Sequence, residues 1–168
     1  REGNRGLALV VDPVLRSSTG AAFADESLLD VYRRELFPRA TLVTPNRNEA
    51  AVLLGLPPLE ARADVEAAAK ALRKIGCAAV AITGGDAGGA HSEDYVDAPY
   101  AAGWLTLPRV DTPHHHGTGC VYASSAAAAL ALGFVAVEAT VLAKMATTHA
   151  LRRAYVAGRG AGPVRPGE

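Results

Sequence analysis

The chain has only two cysteines, Cys77 and Cys120, one methionine and one tryptophan in 168 residues. The cysteines stand in unrelated contexts without CxxC spacing, so they provide neither a zinc site nor a disulfide framework, and a reducing compartment is expected. Neither sign of charge is in excess. Seventeen Lys and Arg balance seventeen Asp and Glu, which argues against nucleic acid or an anionic membrane as partner, since either calls for a basic face. No uninterrupted apolar run reaches the roughly 18 residues that span a bilayer, and Arg1-Glu2-Gly3-Asn4-Arg5 is not a signal peptide. A GxxxxGK[ST] loop and a GxGxxG turn after a strand are also missing, so a bound nucleotide would be held without either phosphate loop. There is no initiator methionine and the sequence enters a strand almost at once, which reads as a fragment of a longer protein.

What remains is the composition of a soluble globular domain, 49% hydrophobic and 20% charged, long enough for one domain over residues 1–168. Leu7-Ala8-Leu9-Val10-Val11 is a continuous apolar run stopped by Asp12-Pro13, as in a strand buried on both faces. A loop follows, with Ser17-Ser18-Thr19-Gly20, and Asp25 is placed to cap a helix reaching Phe37, with Leu28, Leu29, Tyr32 and Leu36 on one face. Thr41-Leu42-Val43-Thr44 reads as a second strand, and Asn46 as the cap of a helix carrying Glu49, Val52 and Leu53. Residues 64–75 have helical spacing, Gly76 caps them, and residues 77–83 form a third buried strand. Glycines 84, 85, 88 and 89 demand a loop. Short strands at 95–96 and 104–107 then resemble a hairpin, and Ala-rich helices at 119–132 and 137–157 complete the chain. Strands alternating with helices predict a parallel sheet covered on both faces, with ligands beyond the strand carboxyl ends.

The segments carrying chemistry lie at those ends. Gly117-Thr118-Gly119-Cys120 opens a helix, where unpaired backbone N–H groups and the positive end of the helix dipole select an anion. A thiol at that position is open to pKa lowering, which suits Cys120 to act as a base or nucleophile; the competing reading is a tight turn with a buried helix-start cysteine. Asn46-x-x-Glu49 has the spacing of a capping box. It also suits a magnesium site, because Mg²⁺ needs only one or two carboxylates, here Glu49 and Asp12, beside substrate phosphates and water. Thr83-Gly84-Gly85 would let backbone approach a phosphate while Thr83 donates its hydroxyl. His114-His115-His116 are consecutive, so they diverge rather than chelate one ion. His91 and His149 read as surface or packing residues, and Cys77 as core.

Taken in order, Asp12-Pro13-Val14, Thr44-Pro45-Asn46-x-x-Glu49, Thr83-Gly84-Gly85, His116-Gly117-Thr118-Gly119-Cys120 and Gly160-x-Gly162-Pro163-Val164 resemble the hydroxymethylpyrimidine/phosphomethylpyrimidine kinases of thiamine biosynthesis, within the ribokinase-like superfamily. The resemblance implies a three-layer α/β/α fold with a mostly parallel central sheet, its first strands missing here. It implies ATP-dependent phosphorylation of 4-amino-5-hydroxymethyl-2-methylpyrimidine and of its monophosphate, with ATP and Mg²⁺ as cofactors. Cys120 would be the catalytic base, and Gly117, Thr118 and Gly119 would form the anion hole. Thr44, Asn46, Thr83 and Gly85 would lie along the triphosphate, Asp12 and Glu49 would hold Mg²⁺, and Val14 would wall the pyrimidine. The partner is a small molecule; a homodimer and fusion to another thiamine-synthesis domain both fit the family, as does a cytoplasmic location, or a plastid one in a plant or alga. His114-His115 and Asp86 depart from the family pattern without removing a reacting group. Two alternatives stand beside this reading: a Cys-containing pyridoxal kinase, and a non-catalytic nucleotide-binding module of a longer thiamine-synthesis protein.

Overall fold

Alternation along the strands decides the architecture. In the computed structural model, which describes residues 6–15, 25–85 and 87–167, the described strands form one sheet in the order β1 (Val10–Val11), β2 (Leu42–Val43), β3 (Val80–Ile82), β4 (His91–Ala98), β5 (Ala101–Pro108). Val11, Val43, Val80, Ile82 and Tyr95 project to one face, where they bury against Leu29, Phe37, Leu53, Val65 and Leu72. Their neighbours Leu42, Ala81 and Val96 project to the other, against Tyr122, Ala126 and Ala143. Helices α1 (Glu26–Val31), α2 (Arg47–Leu54) and α3 (Arg62–Ile75) therefore cover one face, and α4 (Thr118–Ala131) and α5 (Ala136–Arg152) the other. Phe37, Leu42, Leu53 and Leu72 are fully enclosed. Burial of each such side chain contributes roughly 2 kcal/mol.

The parallel pairing expected from strand–helix alternation holds from β1 through β3. Beyond it, β4 and β5 form an antiparallel hairpin of eight residues each, far longer than the short strands predicted. Its outer portions carry polar residues, and cross-strand pairing rather than apolar pattern maintains them. The first strand is shorter than predicted. Leu7 is 73% exposed, and Leu9 ends the pairing with β2, its N–H on Thr41 Oγ1 at 3.1 Å and its carbonyl taking the Thr41 and Leu42 N–H groups. The helix expected from Asp25 to Phe37 starts as predicted, with Asp25 accepting from the Leu28 N–H at 3.0 Å. It then widens to a π-turn over Tyr32–Leu36 and tightens to a 3₁₀ turn over Phe37–Arg39, which accommodates Pro38. Helix α5 stops at Arg152 rather than 157, because the Tyr155 N–H is drawn to Pro163 O as the C-terminal segment returns across the fold. The predicted loop at Ser17–Gly20, and Asp86, lie outside the described residues.

Candidate active site

Parallel strands bring β1, β2 and β3 to one edge with their carboxyl ends aligned, and the loops that leave them meet there. Asn46 forms a bridge with Thr83, so the segments after β2 and β3 run side by side. Asp12 follows β1, partly buried, with Thr44 donating its hydroxyl to Asp12 Oδ1 at 3.4 Å. Burial raises the Asp12 carboxyl above the ordinary carboxylate range, and the Thr44 hydrogen bond offsets part of that rise. Tyr32 connects the two acidic residues: burial pushes its phenol up, and the charges of Asp12 and Glu49 push it further, so both carboxylates act on one neighbourhood.

At the start of α2 the capping box is fully formed. Asn46 Oδ1 accepts from the Glu49 N–H at 2.8 Å, and Glu49 Oε2 accepts from the Asn46 N–H at 2.8 Å. The start of α4 is built differently. Gly117 occupies the cap with φ of +90°, a conformation L side chains rarely adopt, and no side chain caps the helix. A Cβ at Gly119 would lie 3.7 Å from Asp12 Oδ2. The α4 start and the carboxylate after β1 are therefore immediate neighbours, although more than a hundred residues separate them. Cys120 is exposed beside them, which corrects the alternative of a buried helix-start thiol.

The C-terminal segment braces this helix start. His116 bridges Pro163, with His116 N–H on Gly162 O at 3.2 Å and Val164 N–H on His116 O at 3.0 Å. His114 Nδ1 accepts the Gly162 N–H at 2.9 Å. Gly162 lies so close to Tyr155 O that a side chain there would overlap it. The three histidines thus diverge: His114 clamps Gly162, His115 lines the neighbouring cleft and His116 pairs through its backbone.

That cleft, of about 380 Å³, runs between the two loop systems, with Asn46, Thr83 and Gly85 on one side and Thr118 and Gly119 on the other. Its glycine-rich wall is held by Arg109, which donates to the carbonyls of Gly88 and Gly89 at 2.8 Å each. Thr44 does not line it; it is 4% exposed and reaches the site through Asp12. Val14, 43% exposed, also lies off the cleft. Sequence reasoning missed the interior residues of this cleft. Lys144 of α5 and Asp94 of β4 form an ion pair at 2.8 Å with side chains 6% and 5% exposed, and Tyr122 of α4 lies beside them, its phenol pushed well up by burial and by the Asp94 charge. Fifty positions separate Asp94 from Lys144, and no local pattern joins them. The available signal was slight: Lys144 stands in a largely apolar stretch of α5, but Asp94 is one of several polar residues in β4. Cys77 is core as expected, its thiol raised to about 11 by burial.

The donor set fits a nucleotide with magnesium. Tyr122 and Thr147 line the cleft with buried hydroxyls that have no hydrogen-bond partner among the described residues, as in a site completed by a polar ligand. Among the described residues there is no group of three or more His, Cys, Asp or Glu placed to hold a metal ion. Two carboxylates near phosphate oxygens and water suffice for Mg²⁺, whereas they would not hold a transition metal tightly.

A mixed sheet between two helical layers, with strand-end loops facing an uncapped helix start, defines a ribokinase-like small-molecule kinase fold. The chain belongs to the phosphomethylpyrimidine kinase family, whose model matches residues 3–165. It is 40% identical over 156 residues to the hydroxymethylpyrimidine/phosphomethylpyrimidine kinase of Synechococcus elongatus, covering 92% of this chain and 59% of that protein. It is also 40% identical over 147 residues to the chloroplastic thiamine biosynthetic bifunctional enzyme TH1 of Arabidopsis thaliana, covering 86% of this chain and 28% of that one. Among solved structures, pyridoxal kinase from Staphylococcus aureus in complex with ADP superposes with a TM-score of 0.89 at 30% identity, over 98% of this chain and 60% of that one. The phosphomethylpyrimidine kinase of Clostridium difficile gives a TM-score of 0.69 at 26% identity, over 86% of this chain and 58% of that one. The chain thus spans about three fifths of the length of these single-function relatives. Among the described residues no helix is long and apolar enough to cross a membrane.

Proposed function

We propose that the protein transfers the γ-phosphoryl group of ATP to the hydroxymethyl oxygen of 4-amino-5-hydroxymethyl-2-methylpyrimidine, and then phosphorylates the monophosphate. The observation that carries this reading is the juxtaposition of the α4 start with Asp12, Thr118 and Gly119 of that start lining the cleft that Asn46, Thr83 and Gly85 also line. Cys120 takes the hydroxyl proton as the substrate oxygen attacks phosphorus, and ADP departs. The backbone N–H groups from Gly117 through Thr118 and Gly119 to Cys120 receive the charge developing on the transferred group, where fixed dipoles contribute most. Asp12 and Glu49 would hold Mg²⁺, and Asn46, Thr83 and Gly85 follow the triphosphate. Magnesium, when bound, would offset the negative charge of the phosphates. Thr44 orients Asp12, and Val14 supplies an apolar wall for the ring.

The identity to pyrimidine kinases supports this substrate. A Cys-type pyridoxal kinase is the second reading, favoured by the 0.89 superposition on the S. aureus enzyme. A homodimer, a partner domain of the kind implied by the bifunctional relatives, and a cytoplasmic location, or a plastid one in a photosynthetic eukaryote, accompany the proposal. The test is a coupled ADP-release assay on the full-length gene product with ATP·Mg and either the hydroxymethylpyrimidine or pyridoxal. Turnover of the pyrimidine supports the proposal. Turnover of pyridoxal alone transfers the function to the second reading, and ATP binding without turnover of either supports a non-catalytic module.

A further inference from the structure

The buried ion pair in the cleft has no part in the scheme above, yet it touches that scheme's phosphate loop. Asp94 Oδ1 accepts the Gly84 N–H at 3.1 Å, while its other oxygen takes Lys144 Nζ at 2.8 Å. Lys144 also donates to Ser92 Oγ at 3.3 Å, tying α5 to β4. Gly84 is confined by β4 backbone too, since a Cβ there would overlap Glu93 O. The loop is therefore seated directly on the β4 backbone, and one carboxylate connects it to α5. Thr83 and Gly85, on either side of the anchored amide, line the cleft.

A buried carboxylate paired with a buried ammonium is a weak source of stability, because removing two charges from water offsets most of their attraction. The geometry offers another reason for it. We propose that Asp94 is a positioning residue: it fixes the Gly84 amide, and with it the cleft-facing atoms of Thr83 and Gly85, while its second oxygen is taken up by Lys144. Its effect on nucleotide affinity rests on the kinase reading; its effect on the loop does not. Asp94 touches no reacting atom. Its loss is expected to appear in the use of ATP and not in the use of the hydroxymethyl substrate.

Two paired substitutions in the full-length protein separate positioning from structure. D94N/K144M and D94L/K144M both remove the ion pair with side chains of similar size, but only the first keeps an acceptor for the Gly84 N–H. In the nucleotide-free protein, amide hydrogen exchange at Gly84 and Gly85 should stay at the wild-type rate in D94N/K144M and rise about tenfold or more in D94L/K144M, as for a lost anchoring hydrogen bond. The KM for ATP should rise about tenfold in the leucine variant alone, with kcat and the KM for the hydroxymethyl substrate within about threefold, the signature of misplaced binding groups. Equal exchange in the two variants overturns the proposal, as does an equal rise in both substrates' KM. If D94L/K144M does not fold, D94N/K144M still decides: a tenfold rise in its ATP KM or loss of Gly84 protection overturns the proposal, and wild-type values sustain it. A wild-type protein that does not turn over ATP would refute the kinase reading, while the exchange measurement would still decide the loop's anchor.

Discussion

Helices α2 and α4 both begin at the carboxyl edge of the sheet, facing the same cleft, and they treat their first backbone amides in opposite ways. In α2 the donors are used internally, because Asn46 and Glu49 exchange two hydrogen bonds of 2.8 Å. In α4 the cap is a left-handed glycine with no side chain to accept them, and of these amides the Thr118 N–H reaches a backbone carbonyl, His115 O at 3.3 Å. A helix start that satisfies itself is a stability element, worth about 1 kcal/mol. One left open, next to a carboxylate whose ionisation is opposed by burial, is where the proposed function puts the charge brought by a ligand. The difference also bears on Glu49. Its carboxylate contributes to the α2 cap, so any role toward magnesium is exercised from within that cap, which suits contact through water.

The largest effect should come from α4. Cys120→Ser in the full-length protein is expected to slow the chemical step by about a hundredfold or more, as for loss of a general base, with the melting temperature unchanged because Cys120 is exposed. Single-turnover kinetics measures this directly, and wild-type turnover would remove Cys120 from the mechanism. Next, α2 can be divided into its two functions. Glu49→Gln preserves the capping box, since glutamine satisfies it equally, and should weaken the apparent affinity for Mg²⁺ on the order of tenfold, as removal of an outer ligand does. Asn46→Ala should cost about 1 kcal/mol of stability through the lost cap, read by denaturant unfolding. If Glu49→Gln leaves the magnesium titration untouched, α2 is a stability element alone.

Asp12 sharpens the contrast through pH. A carboxyl raised by burial keeps its proton in the folded state at pH values where the unfolded chain has released it, so stability falls as pH rises from about 4 through the folded pKa. Asp12→Asn should therefore be more stable than wild type at pH 7, and the gain should vanish below pH of about 4, while activity is lost. Denaturant midpoints across that range test it. Equal midpoints at pH 7 would mean that ionised Asp12 is compensated within the fold.

Much of this was legible from sequence, for local reasons. The Asn46–Glu49 cap, Asp25 as a helix start and Gly117 as a tight turn are settled within four residues, and the apolar run within residues 77–83 was enough to predict a buried strand. What escaped required distant pairing. The hairpin extends outward to His91 and Pro108 because cross-strand register carries it past the apolar centre. Leu7 and Ala8 stay out of β1 because Thr41 closes the pairing at Leu9. Thr44 was expected along a triphosphate and instead reaches the site through Asp12. Asp94 and Lys144 have no meaning apart until β4 and α5 are packed together.

The smallest expected effect is the most discriminating for the α4 side. Tyr122 is 3% exposed and its hydroxyl has no hydrogen-bond partner among the described residues, although it lines the cleft. A buried donor without a partner costs about 1–3 kcal/mol, so Tyr122→Phe should raise stability by up to about 1 kcal/mol in the nucleotide-free protein once the slight loss of packing is included. If a nucleotide supplies the missing acceptor, the order reverses on binding, and the rise in melting temperature on adding ADP should be smaller for the phenylalanine variant than for wild type. Thermal unfolding with and without ADP measures both. Destabilisation of the ligand-free variant would mean that the hydroxyl is satisfied within the fold, and α4 would then resemble α2 more than its open cap suggests.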